Sequence, residues 1–219
     1  MKITLVSLNY SPELTGIGKY NGEMSPWFVL QGDDVSVLCA PPYYPEWQVH
    51  SGFSGKRFAT SMEKGVFVTR CPTYVPAQPT TVKRLVHLAS FAFSSGLALF
   101  SRLFNKPDVV LVVEPTLFCV PSVLLFCKLT GAKSVLHIQD YEVDAMFGLG
   151  MAGKAGFLSK FAFGVECWLM RRFDAVSTIS YSMMAKAQEK GVDPSSLVFF
   201  PNWSDTSVVQ PDADGSNLR

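Results

Sequence analysis

A chain of 219 residues is enough for one ordinary domain and marginal for two. Hydrophobic residues make up 48%, which excludes wholesale disorder, while the 17% that are charged fall below a usual share of about 25%. With 19 basic and 18 acidic residues the net charge is +1, so no basic field draws in nucleic acid.

Short apolar runs alternate with helical patterns along the chain. Residues 2–8 read as a strand, 18–31 as a helix and 34–40 as a second strand. Residues 58–73 look like a hairpin with Lys64-Gly65 at its turn. A helix is expected over 82–104, a strand over 108–113, a helix over 117–129 and a strand over 133–138. A helix at 157–172, a strand at 175–179, a helix at 182–190 and a strand at 197–201 complete the series. The strands are near-continuous Val/Ile/Leu runs, as expected where helices cover both faces of a parallel sheet. The repeated β-α-β order predicts a doubly wound, mostly parallel, Rossmann-like α/β sheet. It spans residues 1–203, and the polar Pro/Asp/Gly/Ser stretch over 204–219 reads as the start of a linker.

Residues 85–101 carry no Asp, Glu, Lys or Arg. The stretch is serine-rich and short of the roughly 20 apolar residues a membrane span needs. His87, Ser90, Ser94 and Ser101 fall on one helical stripe within a broad apolar surface, which fits a buried or interfacial helix. Five scattered cysteines (Cys39, Cys71, Cys119, Cys127, Cys167) read as reduced core thiols, with neither a disulfide framework nor a zinc site. Nothing before the first strand resembles a signal peptide, so a cytoplasmic protein is expected.

Folds of this class bind ligands outside the carboxyl ends of their strands. After the first strand come Gly16, Ile17, Gly18 and Lys19, where glycines and a helix N-terminus let backbone N–H groups approach a phosphate. The glycine spacing is one residue longer than the dinucleotide fingerprint, and the second strand ends without the acid that would hold a ribose, so NAD is disfavoured. A helix start that merely needs glycine is the alternative. After the second strand, Pro41-Pro42-Tyr43-Tyr44-Pro45-Glu46-Trp47 offers aromatic faces and a carboxylate suited to a sugar, or else a stiff surface loop. Glu114 ends the strand over 108–113, pointing into the crevice or capping the following helix. The richest stretch is His137-Ile138-Gln139-Asp140-Tyr141-Glu142-Val143-Asp144. There His137 reads mainly as a core histidine, and Asp140 as a carboxylate facing a ligand or a helix cap.

These residues carry a resemblance. The pieces are Asn9-Tyr10-Ser11-Pro12-Glu13 with Thr15-Gly16-Ile17-Gly18-Lys19-Tyr20, then Ala40-Pro41-Pro42-Tyr43-Tyr44-Pro45. Val135-Leu136-His137-Ile138-Gln139-Asp140, Asp174-Ala175-Val176-Ser177-Thr178-Ile179-Ser180 and Pro201-Asn202-Trp203 follow. In this order the chain resembles the N-terminal half of a family 4 glycosyltransferase of the two-domain GT-B fold, similar to bacterial exopolysaccharide enzymes of the colanic-acid type. The resemblance implies retaining transfer of a sugar from a nucleotide donor, with the C-terminal half absent from this chain holding the donor base and ribose. It implies an acceptor that is a lipid-linked saccharide, a site at the inner face of the cytoplasmic membrane, and no cofactor or metal.

On this reading Asp140 and Glu114 are the catalytic candidates, and Gly16, Ile17, Gly18 and Lys19 contact the donor diphosphate. Tyr10, Tyr43, Tyr44, Glu46, Trp47, His137, Gln139 and Tyr141 are candidate substrate contacts. Where many members of the family have a His-Asp pair, this chain reads Gln139-Asp140. A nucleotide-sugar epimerase of similar architecture and a non-catalytic membrane- or partner-binding domain are the rival expectations.

Overall fold

A computed structural model of the chain describes residues 1–14, 16–115, 117–141, 143–144 and 156–204. Thr15, Thr116, Glu142 and almost all of the expected linker lie outside the described residues.

The first half of the chain forms β1 (Lys2–Ser7), α1 (Gly16–Leu30), β2 (Asp34–Cys39), β3 (Ala59–Glu63), β4 (Val66–Arg70) and α2 (Thr81–Phe100). The second half forms β5 (Val109–Glu114), α3 (Val120–Thr130), β6 (Lys133–Ile138), α4 (Phe157–Met170), β7 (Ala175–Thr178), α5 (Tyr181–Glu189) and β8 (Leu197–Phe199). The strands make one sheet in the order β3-β4-β2-β1-β5-β6-β7-β8. Every pairing is parallel except β3 with β4. The doubly wound, mostly parallel sheet expected from the sequence is therefore what forms.

Alternation along each strand sends neighbouring residues to opposite faces. In β1, Leu5 joins a core with Met24, Val37, Val68 and Val113, roofed by α1 through Ile17, Phe28 and Val29. Val6 joins the other core, with Leu38, Phe91, Val112, Phe126 and Leu136, beneath α2, α3, α4 and α5. Helices thus cover both faces. Register is tight because a slip of one residue would exchange these two sets, for instance at Leu5 opposite Val37 and Leu111.

The Lys64-Gly65 hairpin turn is present, with φ of 50° and 81°, the left-handed pair that a two-residue hairpin turn requires. The second helix is capped by Thr80 and ends at Phe100, four residues short of the expected 104. Arg102 leaves the helical path there and turns its guanidinium back under the sheet. Among the described residues no helix is long and apolar enough to cross a membrane.

The buried side of α2 is mixed, with Phe91 and Leu99 set among polar and small residues. His87, Ser94, Ser95 and Gly96 are buried, whereas Val82, Val86, Phe93 and Leu97 are 69%, 48%, 71% and 52% exposed. Buried polar groups on the inner side find local partners, His87 Nε2 excepted. His87 Nδ1 lies 2.5 Å from the Tyr74 carbonyl, Ser90 Oγ accepts from Tyr74 N–H, and Ser94 donates to the Phe91 carbonyl. Gly96 brings the helix close to Ser122 of α3, where an added Cβ would sit 3.5 Å from the serine Cβ.

Candidate active site

The strand order reverses between β1 and β5, so the loops after these strands flank the point where such sheets take ligands. Gly16 opens α1 there at φ 55°, exposed, with no atom within 4 Å of the place a Cβ would occupy. The first N–H groups of a helix lack intrahelical partners and carry the positive end of its dipole. Gly16 is exposed at this helix start, while the Ile17 side chain packs onto the core. Lys19 stands beside them, paired to Glu23 at 3.5 Å.

Gly18 does something different. It is buried, and a Cβ on it would fall 2.7 Å from Glu13 Cβ and 2.8 Å from Glu13 Oε2. The gap that glycine leaves is filled by Glu13, a residue the sequence does not single out for any role. Glu13 Oε1 accepts from Tyr43 N–H and Tyr44 N–H, each at 3.0 Å, and its Oε2 accepts from Asn9 Nδ2 at 2.9 Å. Burial raises its carboxyl above the usual range, opposed by those three donors. One carboxylate thereby ties the glycine loop to the aromatic loop. Arg70, also buried, braces the same loop. Its Nη2 donates to the Ser11 carbonyl at 2.6 Å and to both oxygens of Glu63 at 3.1 Å.

In the aromatic loop the two tyrosines separate. Tyr44 and Glu46 are exposed and Trp47 is half-buried, so these three present surface at the crevice end of the sheet. Tyr43 is buried against His87, with ring centroids 4.8 Å apart, and Tyr10 is buried in the opposite core. These two candidate contacts lie inside the domain, because a ring flanked by strand-end backbone is stabilised by burial.

At the end of β6, His137 and Gln139 are both buried. His137 Nδ1 lies 2.9 Å from Ser177 Oγ, and its Nε2 accepts from Gln139 Nε2 at 2.9 Å. Gln139 and Asn202 exchange reciprocal amide hydrogen bonds of 2.9 Å. Burial pushes His137 down to about 4, so it is neutral at ordinary pH. Both side chains are thus turned inward, fixing the segment after β8 to the sheet, and neither offers an open hydrogen-bonding group to a ligand. That segment continues across the α1 face, where Trp203 Nε1 donates to Glu23 Oε2 at 2.8 Å and stacks edge-on with Tyr20.

Glu114 is fully buried at the end of β5. Of the two expectations for it, a carboxylate reaching the crevice and one capping the helix that follows, its burial within this chain favours an inward-facing group. Asp140 is exposed, and partial burial raises its carboxyl above the usual range. It shares a hollow of about 340 Å³ with Tyr141, Asp144, Ser182, Met183 and Lys186. The Tyr141 ring is buried there, with its hydroxyl donating to the Met183 carbonyl at 2.7 Å. Lys186 and Lys190 bind the Asp144 carboxylate at 2.7 and 2.8 Å. Burial works against that charged carboxylate, but the two lysines outweigh it and hold the group below its usual range. Lys186, also missed in the sequence, thus sets a cation in the hollow of Asp140.

This chain is matched over residues 15–203 by the family described as glycosyl transferase 4-like domain. It belongs to that family. A curated relative is 53% identical over 100% of the chain, the "Putative colanic acid biosynthesis glycosyl transferase WcaI" of Escherichia coli (strain K12). The chain spans only 54% of that relative's length. Sucrose-phosphate synthase from Thermosynechococcus elongatus superposes with a TM-score of 0.66 at 12% identity, over 99% of this chain and 52% of the other. The catalytic domain of starch synthase IV from Arabidopsis thaliana, bound to ADP and acarbose, gives 0.60 at 12% identity, over 94% and 52%. Arabidopsis thaliana UGT89C1 complexed with UDP gives 0.55 at 13% identity, over 94% and 53%. At such identities the likeness concerns the fold, and it is that of the Rossmann-like N-terminal half of a GT-B glycosyltransferase.

Proposed function

We propose that this chain is the acceptor-side half of a retaining glycosyltransferase, one that moves a sugar from a nucleotide donor to a lipid-linked saccharide in exopolysaccharide synthesis of the colanic-acid type. The observation that carries the reading is the exposed start of α1 at Gly16, set at the switch point of the sheet. As the donor diphosphate departs, negative charge develops on it. Preorganised N–H dipoles aimed at that charge stabilise the transition state more than the ground state. The neighbours that hold ADP or UDP support a nucleotide as the departing group. Asp140, open to the crevice, orients the acceptor hydroxyl or stabilises oxocarbenium character, and Tyr44, Glu46 and Trp47 form its saccharide-facing wall.

The apolar outer stripe of α2 supports placement at the inner face of the cytoplasmic membrane. Val82, Val86, Phe93 and Leu97 lie in water at a cost that insertion into the headgroup boundary removes, and Lys83 and Arg84 stand at one end of the stripe. The test is product analysis with the longer protein, nucleotide sugars and a lipid-linked acceptor. Transfer with the donor's anomeric configuration kept is expected in the nuclear magnetic resonance spectrum of the product. Inverted product, or an epimerised nucleotide sugar without transfer, overturns the reading.

A further inference from the structure

We propose that the hollow around Arg102, at the opposite end of the sheet from the crevice, binds the phosphate of an anionic phospholipid. The inference deepens the membrane placement of α2 and rests on it, but it is independent of sugar transfer. The face of the sheet beneath α2 is apolar at Val6 and Leu38 and changes character two residues earlier on each strand. Thr4 on β1 and Ser36 on β2 are paired across the sheet with their hydroxyls 3.0 Å apart, and Thr69 of β4 joins them. Arg102 enters this floor of hydroxyls from the end of α2. Its Nη1 donates to Thr4 Oγ1 at 3.3 Å and to Ser36 Oγ, and its Nη2 donates to Thr69 Oγ1 at 3.3 Å.

Three neutral oxygens are thus what the guanidinium holds. Among the described residues neither its Nε–H nor its second Nη2–H has an acceptor, and no ion pair includes it. Arg70 shows the contrast, for it reaches into the same sheet and is answered by Glu63. A half-buried cation without a contacting counter-charge is costly, and burial already lowers the guanidinium from its ordinary value. Asp34 and Lys2 line the same hollow, so an arriving phosphate meets two cations and one carboxylate. Arginine presents its donors as a planar fork that matches phosphate oxygens.

The hollow measures about 810 Å³ and adjoins a second of about 880 Å³, the two sharing Phe58 and Leu97 as lining. The second is walled by Phe53, Val75 and Phe93, beside the exposed apolar stripe of α2. Charge at one end and an apolar trough at the other suit a phosphate that carries an acyl chain. A water-soluble phosphate would leave the trough and the stripe uncovered.

The test is sedimentation of the full chain with vesicles of phosphatidylglycerol mixed into phosphatidylcholine, against phosphatidylcholine alone. At roughly 0.5 M salt the Debye length is below about 5 Å, so diffuse attraction is screened. The wild type is expected to partition to the phosphatidylglycerol vesicles and not to the neutral ones. Arg102→Gln, which keeps donors for the hydroxyls but loses the charge, is expected to weaken that partitioning by about tenfold, the effect of losing a charge-assisted hydrogen bond. Lys64→Gln, an equal charge change at the hairpin turn, is expected to change it less than about twofold at this salt. Equal partitioning of Arg102→Gln and wild type overturns the site while leaving the membrane placement standing. Absence of any vesicle binding overturns both. Stabilisation by inorganic phosphate equal to that by the vesicles overturns the lipid as its source. Should Arg102→Gln fail to fold, hydrogen exchange of the wild type decides. Vesicle protection at residues 67–69 and 101–105 is expected, and protection restricted to the outer stripe of α2 overturns the proposal.

Discussion

Asp140 and His137 are three residues apart, and the structure gives them opposite fates. Asp140 stays at the surface of its hollow, whereas both His137 nitrogens are engaged. In the longer protein, Asp140→Asn is expected to lower turnover by about 10²-fold, the low end of what a positioned acid or base contributes, without a change in melting temperature. A helix cap would tolerate the change, since Asn caps as well as Asp, so near-normal turnover in a folded variant removes Asp140 from the chemistry. His137 makes a stability prediction. Its folded value of about 4 lies below the ordinary 6.5, so as pH falls the unfolded chain takes up the proton first. The fold is therefore expected to lose on the order of 3 kcal/mol between pH 6.5 and 4 through this one group. Urea unfolding at both pH values checks it, with His137→Gln, which keeps a donor and an acceptor, showing a smaller loss than wild type. Equal losses in the two proteins would refute the assignment.

At the scale of elements, the pairing of α1 with the loops around it turns on the Gly18–Glu13 contact. Gly18→Ala forces a methyl group into Glu13 Cβ and its carboxylate, and a destabilisation of about 1–3 kcal/mol is expected, as for overpacking elsewhere. Gly16→Ala meets no atom but must adopt a positive φ, which costs about 1–2 kcal/mol. The two are distinguished at the aromatic loop. Gly18→Ala is expected to loosen amide exchange at Tyr43 and Tyr44, whose N–H groups Glu13 holds, and Gly16→Ala is not. Exchange unchanged in both would show that the loops are not coupled through Glu13. Strand and helix positions were readable in the sequence because apolar runs and turn residues are local signals, with errors of a few residues where helices end. Glu13 was not, because two of its three partners lie 30 and 31 residues away. Glu114 was read from its strand-end position and Tyr10, Tyr43 and Gln139 from the resemblance, and depth below the surface is a tertiary quantity that neither encodes. The serine stripe of α2 was visible, but which side would face the sheet depended on the backbone of Tyr74 offering His87 and Ser90 their partners.

For the whole molecule, the placement of the site sets what the chain accomplishes alone. The groups gathered at the crevice end are those proposed to stabilise a departing diphosphate and orient an acceptor, but the described residues supply no second wall facing Gly16 across the crevice. The matched relative is about twice as long, the chain covering 54% of it. Electrostatic stabilisation of this kind depends on excluding water and on donors fixed around the developing charge, and an open face gives neither. The chain by itself is therefore expected to fold, with cooperative unfolding, and to transfer no sugar at ordinary enzyme rates. The measurement pairs radiolabelled nucleotide-sugar turnover with calorimetry on this chain and on the longer protein. Turnover by the folded chain equal to that of the longer protein would mean that the crevice is complete within these 219 residues. Loss of turnover together with loss of cooperative unfolding would instead contradict the independence of the domain. The expected result, a cooperative transition without turnover, agrees with the proposed division of the site between this half and the residues that would face it.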